Sequence, residues 1–179
     1  MHPFGLARPR TTDDADDFVQ LLLDCHGRIR HFAALARVLG ETPALSADAV
    51  RDAAFRVRRY FGEALPLHVE DEEESVLPRL LGCERALDGA LERMSAEHAA
   101  HAPLLAEVLR RCRELERAPE RHEALRAGLA RDAVALEREF ATHLETEEAL
   151  ILPAIGRLLD ADVRAVLVRE LRARRARQW

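Results

Sequence analysis

Lysine is absent from this 179-residue chain; all 27 basic residues are arginine, which we read as base-composition bias and not as a chemical signature. Aromatic residues make up only 4% of the sequence, and β-branched residues are scarce, so the side chains that favour strands are largely missing. No segment sustains a period-two alternation, and no sheet is expected. Cysteine is limited to Cys25, Cys83 and Cys112. An odd count without pairing motifs excludes a disulfide-stapled scaffold and fits reduced thiols in the cytoplasm. No run is long and apolar enough to span a membrane, and the opening MHPFGLARPR lacks the apolar stretch of a signal peptide. A net charge of −5 argues against nucleic acid as the main partner. The one basic segment, RARRARQW at the end, is read as a solvated helix terminus.

What is present is helix-forming. Ala, Leu, Arg and Glu dominate, and the length suits one domain with a sizeable core. Pro3 and Pro9 mark residues 1–11 as an extended leader, with a single helical domain over 12–179. The first helix is expected from an N-cap at Thr12 to Gly40. After the turn GETPAL, Ser46 caps a second helix reaching about Leu77, where Pro78 should end or kink it and Gly82 closes the segment. A third helix runs from about Glu84 to Arg117. A fourth has Pro119 in its first turn and extends to about Leu152, with Pro153 as its stop. Asp160 caps a short last helix ending near Arg175. Short connections predict an all-α, antiparallel up-down-up-down four-helix bundle with an extra C-terminal helix, which either covers the bundle or makes a homodimer contact.

One pattern stands out. HVEDEEESVLP (68–78) and HLETEEALILP (143–153) share His-x-x-x-Glu-Glu-x-x-x-Leu-Pro, 75 residues apart (143 − 68). The echo extends outward: Phe61, Leu65 and Leu80 align with Leu136, Phe140 and Ile155. Residues four apart share a helix face, so His68 projects with Glu72 and His143 with Glu147. Those faces also carry Val57, Phe61 and Leu65, or Leu136, Phe140 and Leu150, which puts the His–Glu pairs in the apolar stripe. Burying unpaired carboxylates there costs several kcal/mol each, and a metal ion would offset that. An exposed helix with ordinary His–Glu pairs is the plainer alternative, but it does not account for repetition at matched places.

The other two helices supply His26, flanked by Phe18, Val19, Leu22, Ile29 and Ala33, and His98, flanked by Leu91, Met94, Leu104 and Leu105. Aligning the two histidines superposes their apolar neighbours. Four imidazoles and two carboxylates are too many for one tetrahedral zinc. They suit two ions bridged by Glu72 and Glu147, with mixed ligation typical of iron or manganese. The Glu-x-x-His of ferritin-like bundles is excluded, because Leu23, Arg28, Leu65, Ser95, His98, Pro119 and Phe140 stand three residues before the histidines from His26 onward.

This arrangement resembles the hemerythrin-like (HHE cation-binding) family over residues 12–157. The resemblance implies a non-haem centre of two iron ions with oxo or hydroxo and carboxylate bridges, with manganese or zinc as substitutes. Its partner would be a small ligand: oxygen, nitric oxide or peroxide. Storage, sensing, stress protection and repair of iron centres are the implied roles; peroxidase-like or nitric-oxide-reducing turnover is the alternative, and a helical interaction module without metal a third. The resemblance assigns no catalytic side chain. Oxygen carriers of the family have a fifth histidine one turn after the fourth on the same helix; here His101 follows His98 by three residues, so His98, His101 or both remain candidates. Those carriers also place a more widely spaced Asp on the last helix, whereas Glu147 at four matches a bacterial four-His, two-Glu branch.

The remaining polar residues get bland readings. His31 should be solvated, and His2 and His122 carry no role. Glu73 and Glu148 are outer or surface acids, Glu97 a surface acid by default, Cys25 a buried thiol, and Tyr60 either a pocket wall or bundle-edge packing. Arg30, four residues after His26, must splay outward or meet Glu73 or Glu148.

Overall fold

A computed structural model describes residues 17–177, and among these there is no strand. The leader and the Thr12 cap lie outside the described residues; the first helix, α1 (Phe18–Glu41), is capped by Asp17, whose carboxylate accepts the Val19 N–H at 2.9 Å. The second, α2 (47–80), is one rod capped by Ser46. The third, α3, is Arg85–Arg117. A short turn at Pro119–Arg121 leads into α4 (122–158), and α5 (Ala161–Ala176) is capped by Asp160.

Neighbours in the bundle are α1 with α2 and α4, and α3 with α2 and α4, the square expected of short antiparallel connections. The approach of α1 to α4 is close enough that a Cβ on Gly40 would lie 2.4 Å from the Ala130 nitrogen, so glycine is required there. Gly82, with φ of +83°, closes the turn after α2.

Two helices outrun their expected ends. α2 passes Pro78 to Leu80, and α4 passes Pro153 to Leu158. The reason is local. Each proline is preceded by a π-helical stretch, Asp71–Val76 and Glu147–Ile151, in which Leu77 N–H bonds Glu72 O and Leu152 N–H bonds Glu147 O. A third stretch, Tyr60–Ala64, precedes Leu65-Pro66 in the same way. The wider turn keeps the ring off the carbonyl four residues back, so the proline does not break the rod. The inserted residue also rotates the downstream side chains about the helix axis. Leu150, expected in the core, is 48% exposed, while Ile151 is buried in its place.

Apolar side chains form two clusters. One joins Ile29, Leu39, Phe61, Leu129, Leu136 and their neighbours; the other joins Phe18, Leu22, Leu80, Leu91, Ile155 and the inner face of α5. Leu167, Val168 and Leu171 are buried there, so α5 covers the bundle. The described part of the basic tail is exposed at Arg172 and Arg177, as a solvated terminus would be, but Arg174 and Arg175 turn inward. Arg174 is buried against the fully buried Asp71 at 3.0 Å, and Arg175 meets the same carboxylate at 2.8 Å. No helix among the described residues is long and apolar enough to cross a membrane.

Candidate metal centre

Between the two apolar clusters runs a polar layer of His26, His68, Glu72, His98, His143 and Glu147. All are buried except His98, whose side chain is 9% exposed. The layer resolves into two overlapping groups, His26–His68–Glu72–Glu147 and Glu72–His98–His143–Glu147; in each, one ligand atom per residue lies within 4.8 Å of every other. Both carboxylates belong to both groups, and each turns one oxygen to each histidine pair. Glu72 Oε1 faces His68 Nε2 at 3.4 Å and His26 Nε2 at 3.9 Å, while its Oε2 faces His98 Nε2 at 3.3 Å. Glu147 Oε2 faces His26 Nε2 at 3.3 Å, while its Oε1 faces His143 Nε2 at 3.0 Å.

These distances fit donors around an ion. Two ligand atoms about 2.1 Å from one ion and at right angles to each other lie about 3 Å apart. The Nε2 atoms of His98 and His143 are 3.1 Å apart. Buried atoms without a hydrogen-bond partner include His26 Nε2, His68 Nε2, Glu72 Oε2 and both oxygens of Glu147. Leaving such groups unsatisfied is costly, and a cation at each pole would satisfy them.

The outer nitrogens explain how the rings are aimed. His26 Nδ1 donates to Glu148 at 2.9 Å, His98 Nδ1 to Glu73 at 2.8 Å, and His143 Nδ1 to Glu97 at 2.8 Å. A proton held on Nδ1 leaves the Nε2 lone pair inward, the tautomer a metal requires. Glu97 therefore sits behind a histidine and is not a plain surface acid. Glu73 and Glu148 are equivalent in the repeat, and each backs a histidine of the opposite half. Arg30 splays away from the layer and meets Glu148 at 2.8 Å.

Electrostatics follow from burial and proximity. For His26, burial disfavours the charge, but Glu147 and Glu72 more than offset it and hold the ring's pKa up at about 10. The same balance with Glu72 and Glu73 raises His98 to about 9. His68 and His143 are also raised, against burial, by Glu72 and Glu147 respectively. Glu72 is held below the usual carboxylate range: burial opposes its charge, but His68, His26 and His98 prevail. Protons on imidazole thus stand in for the positive charge that a metal would bring.

His101 belongs to neither group. Its buried ring packs edge-on against Phe140 and His143, both centroids 5.1 Å away. Burial, then the neighbouring His143 and His98 cations, push its pKa down to about 4, so it is neutral. It lines a cavity of about 220 Å³ with Ile29, Leu65, Leu105 and Phe140, onto which His68, His98 and His143 also face. Tyr60 does not line that cavity; its hydroxyl donates to the Cys25 carbonyl at 3.3 Å, and its ring stacks on Phe32. His31 is exposed, as expected. His122, read as without a role, is buried and structural, its Nε2 donating to the Leu39 carbonyl at 2.8 Å. Its apolar neighbours Leu125 and Leu129, three and seven residues on, were the available signal for burial.

No curated protein matches the chain significantly. A family model does, described as the hemerythrin HHE cation binding domain, and it spans residues 17–155, which takes in the whole polar layer and leaves α5 outside. With a match over most of its length and a His/Glu cluster able to hold cations, the chain belongs to the hemerythrin HHE cation-binding family.

Proposed function

We propose that this chain is a two-iron protein that binds oxygen, nitric oxide or peroxide. His26 and His68 would hold one ion, His98 and His143 the other, with Glu72 and Glu147 shared. The observation that carries this reading is that each carboxylate turns one oxygen to each histidine pair. Bound ferrous ions supply electrons and open coordination positions for a small oxidant or diatomic ligand. The protein supplies the rest. Glu148, Glu73 and Glu97 fix three of the imidazoles in the ligating tautomer. The cavity beside His98 and His143 measures about 220 Å³. One water occupies about 30 Å³ in the liquid, so a diatomic molecule or peroxide has ample room. Leu65, Leu105 and Phe140 make its wall apolar, and neutral His101 adds no charge to it. A wall of this kind limits water access to whatever binds there.

The test is metal analysis and an optical spectrum of protein purified from iron-rich medium. We expect two irons per chain and charge-transfer absorption from an oxo- or hydroxo-bridged pair. Protein that binds no iron, manganese or zinc would overturn the reading. Stable, reversible ligand binding would identify a carrier or sensor; steady turnover of peroxide or nitric oxide with a reductant would identify an enzyme.

A further inference from the structure

A second cavity, of about 510 Å³, opens between α1, α2 and the end of α5. Among the described residues it has no lining residue in common with the cavity beside the His/Glu layer. Pockets that take small organic ligands are of this size, about 300–1,000 Å³. Its buried lining is Cys25, Tyr60 and Leu67. Its wall includes Phe32, whose ring stacks on Tyr60 with centroids 4.2 Å apart, and Phe55, an aromatic left 40% exposed.

The charge around the cavity is one-sided. Four arginines line it against one acid, Glu63, in a chain with more acids than bases. Two of the four have acids on their own helix: Arg56 meets Asp52 at 3.7 Å, and Arg59 meets Glu63 at 3.4 Å. The other two converge from different helices. Arg28 Nη2 lies 3.0 Å from the Cys25 sulfur, and Arg175 Nη2 lies 3.8 Å from the same atom. Arg175 pairs with Asp71, which Arg174 also meets. Arg28 makes no ion pair with a carboxylate among the described residues; the acceptor of its hydrogen bond is the sulfur, a weak one.

We propose that this cavity is a ligand site for an aromatic carboxylate, its acid group taken by Arg28 and Arg175 and its ring by Phe32, Tyr60 and Phe55. A planar guanidinium binds both oxygens of a carboxylate in parallel. A small inorganic anion would leave the aromatic wall uncovered, and a neutral ring would leave Arg28 without a countercharge. Arg175 lies beyond the residues that the family model spans, so the site depends on the helix added to the bundle. It does not depend on the two-metal reading above.

The test is isothermal titration calorimetry of the full-length chain with 2-naphthoate, metal-free and metal-loaded, with helicity checked by circular dichroism. One saturable site per chain is expected, with the same affinity in both forms. Arg28→Gln should weaken binding about 10-fold, as loss of a charge-assisted hydrogen bond does. The native chain should bind 2-naphthamide, which keeps the ring without the charge, about 10-fold more weakly than the acid. Phe55→Ala removes an exposed side chain and should weaken binding about 3-fold; it carries the test if Arg28→Gln does not fold. Arg110→Gln, exposed on α3 and outside the cavity, should change nothing. A native chain that binds no naphthoate, an amide that binds as tightly as the acid, or Arg28 and Phe55 variants of native affinity would each overturn the inference. Binding that requires metal would put the carboxylate on the ions and overturn it too. All of these outcomes leave the two-metal reading intact.

Discussion

His68 and His143 occupy matched places in the repeat, but neither ring nitrogen of His68 has a hydrogen-bond partner among the described residues, whereas His143 Nδ1 donates to Glu97 at 2.8 Å. The contrast extends to neighbouring positions. Asp71, on the first side, is fully buried and clamped by Arg174 and Arg175, while the side chain of its counterpart in the repeat, Thr146, hydrogen-bonds to the Thr142 carbonyl of its own helix. Inward-facing donors are constrained from both halves at once, because Glu72 and Glu147 serve both histidine pairs. The surfaces behind them face different surroundings and differ in residue type. The clamp by α5 lies on the first half only, while the cavity beside the layer is walled by both, with Ile29, Leu65 and His68 facing His98, Leu105 and His143.

The sharpest way to break this comparison is to remove what the halves share. Glu147→Gln should cost both ions, an effect beyond the roughly 10–100-fold that losing an outer partner costs. His143→Ala should cost only the ion on its own side. Metal content after gel filtration separates these outcomes. A Glu147→Gln protein that keeps one ion at native affinity would show that the carboxylates are not shared.

Next in size is the clamp. Arg174→Ala leaves Asp71 as a buried carboxylate with only Arg175 near it. Breaking a buried pair costs about 3 kcal/mol, which is about 6–12 °C in Tm for a chain of this length. Thr146→Ala, on the unclamped side, should stay within about 0.5 kcal/mol. Thermal melts of the metal-free proteins test both. Equal effects would mean that α5 supports the two halves alike.

Much of this was legible in the sequence, for reasons that can be named. The bundle followed from helical periodicity and short turns. The inward donors followed from a repeat that only a shared demand explains. The groups behind those donors were not legible in the same way. Glu97 is turned about 100° from His98 on its own helix, so nothing in its sequence neighbourhood points to His143 across the bundle. The clamp on Asp71 joins residues about a hundred positions apart, and an arginine-rich helix end reads as solvated until a buried acid is found beneath it. Pro78 and Pro153 misled for a different reason. Proline is a stop signal in an α-helix, and the π-helical turn before each one removes the clash.

Acidity sharpens the comparison further. In the metal-free chain the His26 pKa is held up at about 10 and that of His98 at about 9. Both lie above the unfolded value near 6.5, so their contribution to stability is complete below about pH 6.5 and is lost as pH rises toward 9 to 10. Glu72 and Glu147 are held below their ordinary value, so their contribution is present above about pH 4.5 and is lost on acidification. His101, lowered to about 4, acts the other way and costs stability as pH falls below about 6.5, so the metal-free protein should melt highest near pH 6.5 and decline from pH 7 to 10. With metal bound the imidazoles are already neutral, and that decline should vanish. Melts across pH, with and without metal, read the difference. A metal-free Tm that stays level from pH 6.5 to 10 would remove the proton-for-metal account.

The smallest effect belongs to His101, which lines the cavity beside the layer. Its pKa, pushed down to about 4, keeps it neutral through the physiological range, and its ring packs on Phe140 and His143 outside both donor groups. Replacing it should alter the room beside the ions and leave the ions in place. His101→Ala should hold the native complement of iron, with unchanged affinity, and should release azide a few-fold faster as the wall recedes. His101→Phe, which keeps an aromatic wall but has no donor nitrogen, should retain both the metal and the slow release. If the alanine and phenylalanine variants each lose one ion per chain, His101 is a ligand and the two halves differ in coordination number as well as in backing. If they keep both ions but release azide at the native rate, the cavity is not the route by which small ligands reach the layer.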